Sequence, residues 1–233
     1  MNHTKLDLER IVFIGRSYEE YTDMFKLSEV EFVGKKILDC PAGACSFTAI
    51  ANRKGLNSTA ADIAYEHREE DLFQKGKQDI KHAVEQMKAA KNNYVWNYFN
   101  DIEALQKHRL QALTDSTADR KESPHRYIPA VLPSLPFSNN EFDVILSAHF
   151  LFMYDDRLDE AFHLKTIDEF LRVARQEIRI FPLVDLKGKR SVYLDKAITV
   201  LKSKGVVVEE VKVDYEFQEN ANTMLVIKKN KNT

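Results

Sequence analysis

Between residues 35 and 63 the chain alternates a short apolar segment, a turn of small residues, a helix-forming segment and a second short apolar segment. Residues 35–40 and 58–63 are typical of strands, and residues 47–54 are typical of a helix that ends at Gly55. Two strands joined through a helix pair in parallel, because a tight hairpin cannot connect them. The segment therefore predicts an α/β fold built on a parallel sheet.

The same alternation continues to the end of the chain. The further strand candidates are residues 126–131, 142–147, 176–183, 206–213 and 223–228, and the further helix candidates are residues 17–27, 163–174 and 193–204. Strands alternating in this way with helices predict an open sheet of about seven mostly parallel strands, flanked by helices. Since 233 residues is the size of one domain, we expect a single domain over residues 1–233.

Residues 64–123 interrupt this alternation between the second and third strands. The stretch contains no proline and is far longer than a simple crossover. Its apolar residues form two stripes at helical spacing, which are Ile80, Val84 and Met87, and then Val95, Phe99, Ile102, Leu105 and Leu110. We expect a helical insert of two or more helices over one end of the sheet. It serves either as added scaffold or as a lid that shapes the substrate crevice.

Acidic residues end the first two predicted strands. Asp39 precedes a turn in which Ala42, Gly43 and Ala44 let the backbone pass close to a ligand, and Asp62 ends the next strand. Open parallel sheets bind their ligands outside the carboxyl ends of the strands. A carboxylate there accepts hydrogen bonds from both hydroxyls of a ribose, so Asp62 is a candidate ligand of a nucleotide.

These residues carry a resemblance to a known family. The matching segments are Ile37 to Gly43, then Asp62, then Leu135-Pro136-Phe137 followed by Phe142-Asp143. In this order they resemble the class I S-adenosylmethionine-dependent methyltransferases. The resemblance runs from about residue 35 to the C-terminus, outside residues 64–123. It implies a Rossmann-like sheet whose last strand lies antiparallel beside the fifth, S-adenosylmethionine as the cofactor, and methyl transfer as the reaction.

The resemblance also implies which residues bind the cofactor. The loop residues Asp39, Cys40, Pro41, Ala42 and Gly43 would border the methionine part, and Asp62 would hold the ribose. Ile63, Val131 and Leu132 would flank the adenine. Ser147, at the end of the fourth strand, would lie between cofactor and substrate.

His149, just beyond the fourth strand, is the candidate catalytic residue. Methyl transfer needs a base only when the acceptor must lose a proton, and a histidine with an ordinary pKa near ~6.5 suits that role. The alternative is a structural histidine bonded to a backbone group. Phe150 and Tyr154 are candidate substrate contacts. The aromatic residues Tyr94, Trp96, Tyr98 and Phe99 belong to the core or line an acceptor pocket.

The loop after the first strand departs from the family. Glycine usually stands there at alternate positions, whereas this chain has Pro41, Gly43 and Cys45. The alternative function is therefore a non-catalytic relative that keeps the fold as a binding or interaction module. A nicotinamide-dependent oxidoreductase is disfavoured, because the glycine pattern of that class is missing.

The charge and the cysteine content reduce the number of functions and sites that the sequence allows. The formal net charge of −2 provides no basic field for nucleic acid, so a small-molecule substrate is favoured. Cys40 and Cys45 are the only cysteines and form neither a disulfide framework nor a zinc pattern, so no metal is expected. Cys40 is expected to be buried and inert. The polar start and the lack of a long apolar run predict a cytoplasmic protein without a membrane contact; the oligomeric state stays open.

Overall fold

The structure is a computed structural model that describes residues 12–89 and 94–230. Part of the predicted insert and the polar N-terminal segment lie outside the described residues. The helices are α1 (Tyr18–Phe25), α2 (Glu29–Phe32), α3 (Phe47–Arg53), α4 (Glu69–Ala89), α5 (Ile102–Glu122), α6 (Glu160–Val173) and α7 (Leu194–Ser203). The strands are β1 (Lys36–Asp39), β2 (Asn57–Asp62), β3 (Tyr127–Pro129), β4 (Phe142–Ala148), β5 (Ala174–Phe181), β6 (Val207–Lys212) and β7 (Thr223–Lys228). Short 3-10 turns cover Ile63–Glu66 and Pro124–Arg126.

All seven strands form one sheet in the order β3-β2-β1-β4-β5-β7-β6. The first five strands of the chain pair in parallel, and β7 pairs antiparallel with both β5 and β6. The predicted α/β open sheet and the antiparallel last strand beside the fifth are confirmed. The strand order reverses between β1 and β4, and the crevice at such a reversal is where open α/β sheets bind ligands.

The sheet is buried on both faces, as its continuous apolar strands require. Neighbouring residues on β1 point to opposite faces: Ile37 packs with α1 and α3, whereas Leu38 packs with α6 and α7. Leu146 on β4 shares the face of Ile37. Since Asp39 pairs with Leu146 in parallel register, its side chain lies on the face covered by α1.

The insert between β2 and β3 contains two helices, as predicted. Ile80 and Val84 are buried along α4, and α4 packs on α5, which in turn packs on α3. The prediction that the second stripe lies on one helix is wrong in one respect. Helix α5 begins only at Ile102, so Val95 and Phe99 lie before the helix. The side chain of Asp101 accepts a hydrogen bond from the Ala104 amide at 2.7 Å and so begins the helix there.

The segment before α5 is irregular and docks on the loop between β6 and β7. The Val95 amide donates to the Phe217 carbonyl at 2.7 Å, and the rings of Tyr94 and Phe217 stack with centroids 5.0 Å apart. This docking brings aromatic residues of the insert to the strands that end the chain. Within residues 12–89 and 94–230, no helix combines the length and the apolar character needed to cross a bilayer.

Candidate functional site

The carboxyl side chain of Asp39 is fully buried at the end of β1. Its Oδ1 accepts a hydrogen bond from the Tyr21 hydroxyl at 2.9 Å, whereas its Oδ2 is buried and has no partner among the described residues. Burial raises the pKa of Asp39 well above its ordinary value; the Tyr21 bond opposes this rise and the nearby Asp62 charge adds to it. A buried oxygen left without a donor is a costly arrangement that a bound donor would relieve.

Asp62 ends β2 and holds the loop that follows β1. Its Oδ2 accepts from the Gly43 amide and its Oδ1 accepts from the Ala64 amide, each at 2.8 Å. Burial raises the pKa of Asp62, although both amide bonds lower it. Each oxygen keeps one lone pair, so the carboxylate can still accept from a ribose. Replacing Asp62 by alanine would therefore disturb the loop as well as any nucleotide contact.

The loop itself is tied to the neighbouring strands through its backbone. The Cys40 amide donates to the Leu146 carbonyl at 2.9 Å, and the Ala42 amide donates to the Ala61 carbonyl at 3.0 Å. Cys40 and Ala42 are buried and Pro41 is partly buried, which confirms that the Cys40 thiol is enclosed. Burial raises the pKa of this thiol well above its ordinary value, so it is unreactive in the folded protein.

Gly43 has φ +54 and is partly buried. The nearest atom to a Cβ built at this position is Oδ2 of Asp62 at 4.0 Å, so a ligand can approach the backbone here. The Gly43 carbonyl accepts from the Tyr65 hydroxyl at 2.8 Å. The single glycine of the loop thus stands between the two carboxylates.

The predicted adenine contacts lie in the two segments that follow Asp62 and Ala130. Val131 is 49% exposed, and Ile63 and Leu132 are partly buried. The Ala130 amide donates to the Asp62 carbonyl at 3.2 Å and so brings this segment to the end of β2. These three side chains can cover a flat ring without closing over it.

Ser147 lies near the end of β4 and His149 directly follows the strand, but the two side chains have different surroundings. Ser147 is fully buried, and its Oγ has no hydrogen-bond partner among the described residues. Leu146 and Asp39 lie on one face of the sheet, and the Ser147 side chain points to the other face. His149 follows the strand with φ +51, and its amide donates to the Phe181 carbonyl at 2.6 Å. The structure therefore brings His149, and not Ser147, to the face of Asp39.

The His149 imidazole has no hydrogen-bond partner at either ring nitrogen among the described residues. Its ring packs against Phe181 and Tyr215, with centroids 5.4 and 6.5 Å apart. Burial lowers its pKa well below the ordinary value, and the positive charges of Arg16 and Arg109 lower it further. This lowered pKa favours the neutral ring, which keeps a nitrogen lone pair for a hydrogen bond from a ligand.

Phe150 and Tyr154 lie in the turns after β4, both partly buried. Their rings are 6.3 Å apart, and Phe150 also contacts Phe162 of α6 at 6.2 Å. They pack towards α6 rather than towards Asp39. His163 of α6 is fully buried, with Nδ1 at 2.8 Å from the Asp159 carbonyl and its ring 4.6 Å from that of Tyr193.

A buried ion pair that sequence reasoning missed lies next to this site. Glu20 of α1 is fully buried and pairs with both terminal nitrogens of Arg109 of α5, the longer contact being 2.9 Å. The Tyr215 hydroxyl donates to Glu20 Oε1 at 2.7 Å, and the Ser17 amide donates to Oε2 at 2.9 Å. Burial alone would raise the pKa of Glu20, but the Arg109 charge outweighs it and the pKa is lowered. The sequence carries one signal for Glu20, since Ser17 and Glu20 have the spacing of a capping box.

The segment before α1 crosses the loop after β1. The Ser46 amide donates to the Arg16 carbonyl at 3.0 Å, and the Arg16 amide lies 3.2 Å from Cys45 Sγ. A Cβ at Gly15 would lie 1.9 Å from the Ala44 carbonyl oxygen, so only glycine permits this crossing. Nothing in the sequence predicted a contact between segments so far apart in the chain.

Two depressions of the surface differ in their relation to these residues. The larger, of about 340 Å³, is lined by α5 side chains from Glu103 to Thr114 and contains none of the predicted site residues. The smaller, of about 10 Å³, lies beside Gly43 between Phe13 and Tyr65. We assign the site to the strand ends because the unpartnered buried atoms of Asp39 and His149 lie there. A nucleoside needs more room than the smaller depression offers.

Among the described residues, no group of three or more histidine, cysteine, aspartate or glutamate side chains is arranged to hold a metal ion.

Known proteins resemble the chain in fold. Magnesium protoporphyrin IX methyltransferase (ChlM) of Synechocystis PCC 6803, solved with bound S-adenosylmethionine, matches 91% of this chain and 80% of its own with a TM-score of 0.51 and 9% identity. The PH0226 protein of Pyrococcus horikoshii OT3 matches 91% of each chain with a TM-score of 0.50 and 14% identity. Together with the strand order and the acidic strand ends, these matches define the class: the chain has the Rossmann-like fold of the class I S-adenosylmethionine-dependent methyltransferases. The resemblance is thus confirmed for the fold.

No family model matches the sequence. The chain belongs to the same family as the uncharacterized protein MJ0045 of Methanocaldococcus jannaschii, to which it is 37% identical over 225 residues. The match covers 96% of this chain and 99% of the relative.

Proposed function

We propose that the protein transfers a methyl group from S-adenosylmethionine to a small-molecule acceptor. One observation carries the proposal: the carboxyl of Asp39 is fully buried at the ligand-binding edge of this fold, and no group in the described part of the chain donates a hydrogen bond to its Oδ2. An ammonium group is the donor that such an oxygen lacks, and the methionine part of S-adenosylmethionine carries one.

The other predicted contacts fit the rest of the cofactor. The free lone pairs of Asp62 can accept hydrogen bonds from the ribose hydroxyls. Gly43 has no side chain, so the cofactor can come close to the backbone of the loop. The apolar surface of Ile63, Val131 and Leu132 can cover the adenine. Because Asp62 also binds the loop, the ribose contact and the shape of the loop depend on the same carboxylate.

When bound, the cofactor supplies an electrophilic methyl group on a sulfonium. The acceptor heteroatom forms the new bond to this methyl group, and the sulfur–carbon bond breaks with its electron pair remaining on sulfur. Positioning supplies much of the acceleration in such a displacement. Where the acceptor carries a proton, the neutral imidazole of His149 accepts it, since both ring nitrogens lack a partner.

A small-molecule acceptor is supported by the half-buried aromatic residues of the insert beside the site and by the lack of a basic field. The structural neighbour ChlM is named for methylating a porphyrin, also a small molecule. The role of residues 64–123 as a lid and the cytoplasmic location stay predictions.

Calorimetry with S-adenosylmethionine and S-adenosylhomocysteine tests the proposal directly. We expect Asp39→Asn to weaken binding by about tenfold to a hundredfold, because a charge-assisted hydrogen bond is lost. Asp62→Asn is the better variant at the second position, since its amide oxygen still accepts one loop amide. The exposed Asp168→Asn is the matched control and should leave affinity unchanged.

The absence of any heat at about millimolar ligand would overturn the proposal. Binding without transfer of a labelled methyl group to any component of a dialysable cell extract favours the non-catalytic alternative instead.

A further inference from the structure

Arg16 lies beside the site without a counter-charge. Its Nε is buried and lacks a hydrogen-bond partner, and among residues 12–89 and 94–230 no carboxylate forms an ion pair with its guanidinium. By contrast, the buried arginines Arg109 and Arg179, which are more enclosed than the partly buried Arg16, are paired with Glu20 and Glu177. A partly desolvated cation without a partner is unfavourable, so an anion from outside the chain is the group that would complete it.

The backbone fixes Arg16 close to His149. Ser17, the next residue, donates its amide to Glu20, which accepts from Tyr215, and the Tyr215 ring contacts that of His149. The same proximity appears in the electrostatics, since the Arg16 charge lowers the pKa of His149 after burial has done so. It also opposes the rise that burial causes in the pKa of Tyr94.

The nearby carboxylate of Glu20 does not neutralise Arg16, because Arg109 already pairs with it through two nitrogens. Asp39 accepts from the Tyr21 hydroxyl and, among the described residues, forms no ion pair with Arg16. The group around His149 therefore carries an excess positive charge from Arg16.

Aromatic side chains of the insert pack on the loop between β6 and β7, the loop that also carries Tyr215. Tyr94 and Trp96 are partly exposed, and both pack on Phe217, with ring centroids 5.0 and 5.4 Å apart. The hydrogen bond from the Val95 amide to the Phe217 carbonyl holds them in place. Aromatic faces that are held rigidly in this way favour a flat ligand.

We infer that the methyl acceptor is an aromatic carboxylate, whose carboxylate pairs with Arg16, whose ring lies against Tyr94 and Trp96, and whose nucleophile faces His149. This inference rests on the proposed function. It goes further by assigning Arg16 to the acceptor and by stating the chemical class of that acceptor.

Titration with 4-hydroxybenzoate and its neutral analogue 4-hydroxybenzamide, at saturating S-adenosylhomocysteine, tests the inference in the wild-type protein. Trp96 is the only tryptophan of the chain, so its fluorescence reports binding at the aromatic residues. We expect the carboxylate to bind at least about tenfold more tightly than the amide, as one charge-assisted contact implies. Equal affinities, or no binding of the carboxylate, would overturn the inference.

Arg16→Met should remove the preference for the carboxylate and leave the affinity for S-adenosylhomocysteine within about threefold of the wild-type value. Arg53→Met, at an exposed ion pair with Asp115, is the matched control and should retain the preference. Arg16→Met could instead strongly reduce the affinity for S-adenosylhomocysteine but not the affinity for 5′-methylthioadenosine, which lacks the amino-acid end. In that case Arg16 binds the methyl donor, and the inference fails. Failure of the proposed function is a separate result, since wild-type protein would then not bind S-adenosylhomocysteine at all.

Discussion

The buried pair of Glu20 and Arg109 gives the sharpest stability prediction. Glu20 is fully buried and the Arg109 side chain is only 5% exposed, so Arg109→Met leaves a carboxylate without its counter-charge inside the protein. Two donors remain, the Ser17 amide and the Tyr215 hydroxyl. Removing one partner of such a pair costs about 3–5 kcal/mol, because the remaining charge is uncompensated.

For a chain of this length, that loss corresponds to a fall in Tm of about 6–20 °C. Thermal unfolding followed by circular dichroism measures it. The matched control is Arg190→Met, since Arg190 also binds carboxylates through several nitrogens but its side chain is 45% exposed. The control should lose no more than about 1 kcal/mol, because solvent screens an exposed pair.

Two further measurements show whether the stability loss in Arg109→Met comes from the unpaired charge of Glu20 or from lost packing. Without Arg109, burial raises the folded pKa of Glu20 above its unfolded value, so the folded state binds the extra proton and stability falls as pH rises through that window. The deficit of Arg109→Met relative to wild type should therefore be smaller at about pH 5 than at about pH 8. Adding Glu20→Gln should recover at least half of it. A loss equal to that of the control, or a double variant no more stable than the single one, would refute the reasoning.

Three further predictions follow from the site. The affinity for S-adenosylhomocysteine should fall as pH falls through the raised pKa of Asp39, because the protonated acid cannot hold an ammonium, and Asp39→Asn should abolish this dependence in calorimetric titrations. Gly15→Ala should lower the stability by about 1–3 kcal/mol or more and should also lower the ligand affinity, because the new Cβ would meet a carbonyl oxygen of the loop after β1. In the control Gly55→Ala, where no atom lies within 4 Å of the new Cβ, only the stability should fall. An unchanged ligand affinity in Gly15→Ala would contradict the assignment of the site to this loop. Cys40 and Cys45 should not react with a thiol reagent at about pH 8 until the protein unfolds, because burial raises both pKa values, that of Cys45 to about 12; rapid reaction of folded protein would show that the loop opens.

The sequence predicts the sheet well, because strand and helix periodicity are local properties. The strand predicted at residues 223–228 has the observed bounds, and the others differ by at most two residues at either end. The stripe through Val95 and Phe99 misled the prediction, because aromatic packing on Phe217 is a tertiary contact that overrides local helix preference.

The candidate site is less accessible to such reasoning. Asp39, Asp62 and Gly43 stand where the strand pattern puts them. Arg16 and Arg109 come to the site through contacts between distant segments, which a single sequence does not encode locally. For Ser147, counting along the strand found the position but not the face of the sheet to which the side chain points, and its place between cofactor and substrate stays a prediction.

The bond between Tyr215 and Glu20 joins residues 195 positions apart, and the bond between Arg109 and Glu20 spans 89. Contacts so distant in sequence form late, because a long loop must close before they are gained. The surroundings of His149 are therefore assembled only when the first helix and the final strand pair have both docked. A fragment that ends before β6 can build much of the parallel sheet but lacks this wall of the site, so recovery of ligand binding during refolding would mark the last stage of folding rather than the collapse of the core.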